Sequence, residues 1–370
     1  MHVLILLAQR HWTGAAEPVL QIARGLAGRG HRVTFVYTRR PLGHLAGYVN
    51  PDLLQVLPDV HLRRKGFFPF SILHDYRRLR SFVTAENVDI VFCHHTHDHW
   101  LARFVVRGLK RPPILVRQIH ESRQLRRRFG YRWLYRGTEM VIVAARTWKE
   151  KLIAEYGLDT SRVFVLPAAV DTEHFHPAQP VQAIRDEVGA EAEDRLVGIV
   201  SRIKAGRGHD LALAAFEKVL AQTPAVRLLV VGRGEGKEAL EEKVASTAFA
   251  DRVHFLGYRS DDLPAVYAAL DVSLLLGEGS DGSCRAALEA MACGTPVVAL
   301  PVGTLSESIQ DGESGVFVQH DPDDVAAAIL EVLAVPFMSE RARGHAEREL
   351  AVEQRVERVE TLFRRLADVR

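Results

Sequence analysis

Two carboxylates, Asp281 and Glu289, stand with seven residues between them in SDGSCRAALEAMACGTPVV, residues 280–298. Gly282 and Ser283 can open a helix running through Met291, with Gly294 as its cap and Pro296 barring continuation. A helix N-terminus that follows a strand leaves backbone N–H groups unpaired, which suits a phosphate. Glu289 then lies about 9–12 Å along the axis from Asp281, at ~1.5 Å rise per residue. That is roughly the span of a sugar diphosphonucleoside, from its sugar to its ribose, with the phosphates between. The small residues of AALEAMACG fit tight packing equally well, with both acids solvated.

A second candidate is SRIKAGRGHD, residues 201–210, after the apolar run RLVGIVS. Arg202 and Arg207 lie in and just after a glycine-bearing loop that precedes a helix from about Gly208. Two fixed cations there are what a pyrophosphate leaving group requires when no metal is present, although ordinary surface arginines would look the same. In WTGAAEPV (12–19), Gly14 permits close backbone approach to a ligand. The segment is not G-x-G-x-x-G, and Thr38, Arg39 and Arg40 stand where a dinucleotide site needs an acid, which speaks against a nicotinamide cofactor.

CHHTHDHW (93–100) invites a metal reading, but it straddles a strand end and a helix start and lacks a set zinc spacing. Binding of an acceptor, through His95 and His97, and helix capping are the readings that remain. DPDD (321–324) has the Asp-x-Asp spacing of a divalent-ion site, yet it sits before a helix and reads as a cap. We therefore expect no metal ligands.

The elements that must position these residues are short apolar runs alternating with amphipathic stretches. HVLILLA, RVTFVYT, DIVFC, PILVRQI, MVIVA and RVFVLP precede PAAVDTEHFHPAQP (167–180); RLVGIVS, VRLLVVG, RVHFLG, DVSLLL, PVVAL and GVFV follow it. Runs this short and this continuous predict strands buried on both faces, hence parallel βα units in two doubly wound sheets. The proline-rich segment predicts a linker between residues 1–170 and 171–344, two Rossmann-like domains facing a cleft. Chemistry is then expected in the loops after the strands. A helical tail, about 345–370, has no strand to alternate with and is expected to pack back onto the first domain.

At 370 residues with 47% hydrophobic and 25% charged side chains, the chain is globular and long enough for two cores. Three widely spaced cysteines, Cys93, Cys284 and Cys293, argue against a disulfide framework and for a reducing compartment. The N-terminal apolar run is too short for a signal peptide, so a soluble cytoplasmic protein is expected. Charge is uneven. Residues 61–136 hold 17 Lys/Arg against five Asp/Glu, a local +12 in a chain of net +2. The arginines alternate with aromatics in HLRRKGFFPFSILHDYRRLRSF and SRQLRRRFGYRWLYRG. Such segments suit an anionic membrane surface, here the inner face of the cytoplasmic membrane, or are snorkelling surface arginines. No nucleic-acid module accompanies them.

Taken in order, WTGAAEPVLQIARGLAGRGHRVT, VDIVFCHH, MVIVAARTWKEKLIAEYGLDTSRVFVLPAAVDTEHFHP, RVHFLGYRSDDLPAVYAALDV and DGSCRAALEAMACGTPVVA resemble the landmarks of the retaining GT-B glycosyltransferases of family 4. The last resembles that family's E-x7-E motif. The resemblance implies a nucleoside-diphosphate sugar donor on the C-terminal domain, an acceptor on the N-terminal one, and no cofactor. It places Gly14 near the donor phosphates, His120 against the transferred sugar, Arg202 on the diphosphate and Glu289 on the ribose. Tyr258, Gly282, Ser283 and Cys284 fall with the donor. Arg207 replaces the family's lysine, and Asp281 its first glutamate. The implied activity is metal-independent sugar transfer, with an envelope glycolipid, lipopolysaccharide core or oligosaccharide as acceptor. A sugar-nucleotide epimerase and a non-catalytic carbohydrate- or lipid-binding protein are the alternatives.

Overall fold

A computed structural model describes residues 1–11, 16–38, 44–62, 69–125, 129–277, 284–335 and 337–369. Gly14, Asp281, Gly282 and Ser283 lie outside the described residues, as do Arg39, Arg40, Phe67 and Phe68. The chain divides into two compact units. One joins residues Met1–Pro167 to Val352–Arg370, and the other is Ala168–Ala351.

In the first unit, seven strands form a parallel sheet: β1 (His2–Leu7), β2 (Arg32–Tyr37), β3 (Gln55–Val56), β4 (Ile90–Cys93), β5 (Ile114–Gln118), β6 (Met140–Val143) and β7 (Val163–Val165). Their order is β3-β2-β1-β4-β5-β6-β7. In the second, β8 (Arg195–Val200), β9 (Val226–Val231), β10 (Val253–Gly257), β11 (Val272–Leu275), β12 (Val297–Ala299) and β13 (Gly315–Phe317) run parallel in the order β10-β9-β8-β11-β12-β13. All twelve apolar runs are strands. Helices cover both faces of each sheet, so residues such as the whole of β1 are buried whichever way they point. Both sheets reverse their winding at the centre, between β1 and β4 and between β8 and β11. Open α/β sheets bind ligands outside the carboxyl ends of the strands at that reversal.

Residues 168–180 form part of the second unit instead of a free linker. Val170 and Phe175 are buried in its core, and Val170 bridges Ala351. The tail is also divided. Met338–His345 and the π-helical turn Ala346–Leu350 pack in the second unit, and only the helix Val352–Asp368 joins the first. There Val356, Val359, Leu362 and Phe363 are buried against the helix Glu17–Gly28 and the sheet. Asp321 caps the helix Pro322–Ala334 by accepting from the Asp324 backbone N–H at 3.3 Å, so DPDD serves as a helix start.

Candidate functional site

In the second unit, the loop from Ser201 to Gly208 follows β8 and carries Arg202, exposed, and Arg207, half-buried. Neither arginine makes an ion pair or side-chain hydrogen bond among the described residues. Gly208 begins the helix His209–Leu220 at φ 83°, and a Cβ there would overlap the Leu276 carbonyl just past β11. A Cβ at Gly277 would come within 2.9 Å of the Arg207 Cα. The loops after β8 and β11 therefore touch backbone to backbone, across the winding reversal. The β9 loop joins them: Ile203 N–H donates to the Arg233 carbonyl and Gly236 N–H to the Ile203 carbonyl, both at 3.1 Å.

Glu289 lies on the helix Cys284–Ala292 and is only 6% exposed. Its Oε1 accepts from Arg285 Nε at 2.5 Å and its Oε2 from the Tyr267 hydroxyl at 3.2 Å. Tyr267 is fully buried, and burial first, then the Glu289 charge, pushes its phenol pKa well up, so it remains a donor. The Cys284 thiol is buried in the core of this unit. Tyr258, past β10, is 62% exposed and lies under the Arg233 guanidinium, 4.5 Å from the ring centroid. It is joined to the β9 loop, and no contact links it to Glu289.

In the first unit, the carboxyl ends of β1, β4 and β5 lie side by side. Asp98 ties two of them together, accepting from Ala8 N–H at 3.1 Å and from His95 N–H at 2.7 Å. Burial pushes this carboxyl up to about 6, against the opposing pull of Arg117. His95 Nε2 donates to Gln9 Oε1 at 3.0 Å, while His97 is half-buried in the first turn of the helix Thr96–Val106. His99 points away into the core, its Nε2 on Thr138 Oγ1 at 2.8 Å. No group of three His, Cys, Asp or Glu side chains able to hold a metal occurs among the described residues.

His120 pairs with His94, Nε2 to Nδ1 at 2.9 Å. Burial, above all, drives both imidazoles well below their usual range, so the pair is neutral and shares one N–H. Arg355, from the helix Val352–Asp368, and Arg117 add positive charge nearby. Arg355 donates to the Pro167 carbonyl at 2.8 Å, and burial lowers its pKa to about 10. Arg117 is fully buried in β5, with one nitrogen on Gln124 Oε1 at 2.9 Å and another 3.9 Å from Asp98. The predicted residues thus fall into two groups, one per unit: His95, His97 and His120 at β4 and β5, and Arg202, Arg207, Cys284 and Glu289 around β8 and β11. His94, Tyr267 and Arg285, which bond to them, and Arg117, beside Asp98, were missed as site residues. An arginine inside the apolar run PILVRQI, and Arg285 four residues before Glu289, were the available signals.

Two such sheets, each carrying polar loops at its winding reversal, define a GT-B glycosyltransferase fold. A glycosyltransferase from Rickettsia africae superposes with a TM-score of 0.81 at 16% identity, covering 98% of each chain. Anabaena HepE, solved in complex with UDP, gives 0.75 at 19%, covering 98% of this chain and 99% of its own. Residues 12–174 match glycosyltransferase family 4 and residues 194–334 match glycosyl transferases group 1. Among curated relatives, the D-inositol 3-phosphate glycosyltransferase of Geodermatophilus obscurus is 34% identical over 89% of this chain and 79% of its own. That of Mycobacterium marinum is 31% identical over 84% and 71%. The chain belongs to the group 1, family-4 glycosyltransferases, and it is a glycosyltransferase enzyme.

Proposed function

We propose that this enzyme moves a sugar from a nucleoside-diphosphate sugar to an acceptor hydroxyl, with retention at the anomeric carbon and without a metal. The observation that carries the reading is the pair Arg202 and Arg207, without acidic partners among the described residues, beside the β11 loop at the winding reversal. Two guanidinium groups neutralise a diphosphate as its bond to the sugar breaks. The bond from C1 to the acceptor oxygen forms on the same face, and the acceptor proton passes to the departing phosphate oxygen. Glu289 takes the ribose hydroxyls and Asp281 the sugar, and the family resemblance assigns His120 to the sugar as well. The complex of HepE with UDP supports a nucleoside diphosphate as the carrier.

For the acceptor, the basic, aromatic first unit favours an anionic one, such as an envelope glycolipid or lipopolysaccharide core. The two relatives named above favour a small phosphorylated polyol. Transfer assayed with UDP-, GDP- and ADP-sugars against both acceptor types, in excess chelator, tests the proposal, with proton NMR of the new linkage. Activity abolished by chelator and restored by magnesium, or an inverted linkage, would sink it.

A further inference from the structure

An open cavity of about 690 Å³ lies in the first unit at the amino ends of β5, β6 and β7, whose first residues, Ile114, Met140 and Val163, form part of its wall. This is the opposite edge of the sheet from His120. Six residues separate Ile114 from His120, or about 20 Å at ~3.3 Å per residue of extended chain. The floor is apolar, with Phe164 and, from the last turn of the helix Val352–Asp368, Leu366. Four cations stand around it: Arg136, Lys149, Arg162 and Arg365.

Arg162 is fixed by donating to the carbonyls of Tyr135, at 2.8 Å, and Thr138. Arg136, Lys149 and Arg365 have no ion pair or side-chain hydrogen bond among the described residues, although they come from three different helices. The one acid among the described lining residues, Glu139, has a carboxylate oxygen accepting from Leu115 N–H at 2.9 Å. An excess of one charge around an apolar hollow raises the local concentration of the opposite charge. The volume is that of an ordinary small-molecule site.

We propose that this cavity is a second ligand site, which takes an amphiphilic phosphate: the alkyl chain covers Phe164 and Leu366, and the phosphate meets Arg136, Lys149 and Arg365. A bare phosphate leaves the apolar floor wet, and a neutral amphiphile leaves the cations unanswered. Both halves of the ligand are therefore required. The site is independent of where the sugar donor binds.

Calorimetric titration of the full chain with octyl phosphate, octyl glucoside and inorganic phosphate, each below its micellar concentration and with saturating UDP present, tests this. Octyl phosphate should bind one equivalent, at least about tenfold more tightly than the other two, the scale of one charged hydrogen bond. The double variant Lys149→Glu, Arg365→Glu should lose about tenfold or more of that affinity, while its sugar-transfer rate stays unchanged. If that variant is unfolded by circular dichroism, the pair Lys149→Gln, Arg365→Gln takes its place. No saturable binding of octyl phosphate, equal binding of octyl glucoside, equal binding of inorganic phosphate, or undiminished binding by the folded variant overturns the proposal.

Discussion

Glu289 is held at both oxygens, by Arg285 and by Tyr267, and in the proposed reading takes the donor ribose. Replacing it with glutamine keeps the shape and removes the charge. A charged hydrogen bond is worth roughly 1.5–3 kcal/mol, so Glu289→Gln should weaken a bare nucleoside diphosphate about 10- to 150-fold. Tyr267→Phe leaves the charge and the Arg285 contact in place and touches the ligand only through Glu289, so its effect on the same titration should stay within about fivefold. Equal losses would show that the Tyr267 hydrogen bond, and not the Glu289 charge by itself, sets the affinity. Asp98 makes a pH prediction. Its pKa rises from 3.8 in the unfolded chain to about 6 in the fold, mainly through burial. Folding therefore takes up a proton between those values: the contribution is full below 3.8 and disappears as pH rises through about 6. A rise of that size is worth roughly 3 kcal/mol. Urea unfolding of wild type and Asp98→Asn across that window should show this slope in wild type only; parallel profiles would refute the buried-carboxyl account.

At the scale of elements, the helix Val352–Asp368 sits so close to the helix Glu17–Gly28 that Gly25 has no room for a Cβ. One placed there would overlap Val356, with Cγ1 at 2.7 Å. Helix propensity alone would make Gly25→Ala stabilising by about 1 kcal/mol, but overpacking a rigid β-branched partner costs about 1–3 kcal/mol. We expect net destabilisation in chemical denaturation, largely relieved by Val356→Ala in the same chain. A stabilised single variant would mean that the helices part easily. No local feature of the sequence announced this contact, because glycine inside a helical pattern carries no label of its neighbour. The strands were legible throughout except β3, whose two residues, Gln55 and Val56, make no apolar run. The break at Ala351 was invisible for another reason: LAVEQRVERV keeps helical periodicity across it, and the bridge to Val170 that extends Ala351 comes from 181 residues away in sequence. The cations and Glu289 were legible as types in loops and at a helix start. Tyr267, which holds Glu289, and Arg117, beside Asp98, were not, because they stand in apolar surroundings where polar side chains are not expected.

Across the whole molecule, charge and continuity divide the two units. Phe70 and Phe129 are 86% and 104% exposed, and Trp100, Phe104 and Trp133 stack at the surface with Arg103 over the Trp133 ring. Sedimentation with vesicles should show binding to anionic and not to neutral lipid at low salt, fading as salt shortens the Debye length. Indifference to lipid charge would assign the arginines to solvent. No helix among the described residues is long and apolar enough to cross a bilayer. The second unit is continuous, and its ends meet where Val170 N–H donates to the Leu350 carbonyl at 2.8 Å. Residues 168–351 should therefore fold when expressed alone and bind nucleoside diphosphate; an unfolded fragment by circular dichroism would contradict this. The first unit has no such independence. Residues 1–167 leave the ribosome first, but the helix that covers their sheet is made only after the whole second unit. At about 5–20 residues per second, the apolar surface awaiting Val356, Leu362 and Phe363 stays uncovered for about 10–40 s on every nascent chain. The half of the enzyme translated earliest is thus the last to be finished, and during that interval it is the half that a chaperone would have to shield.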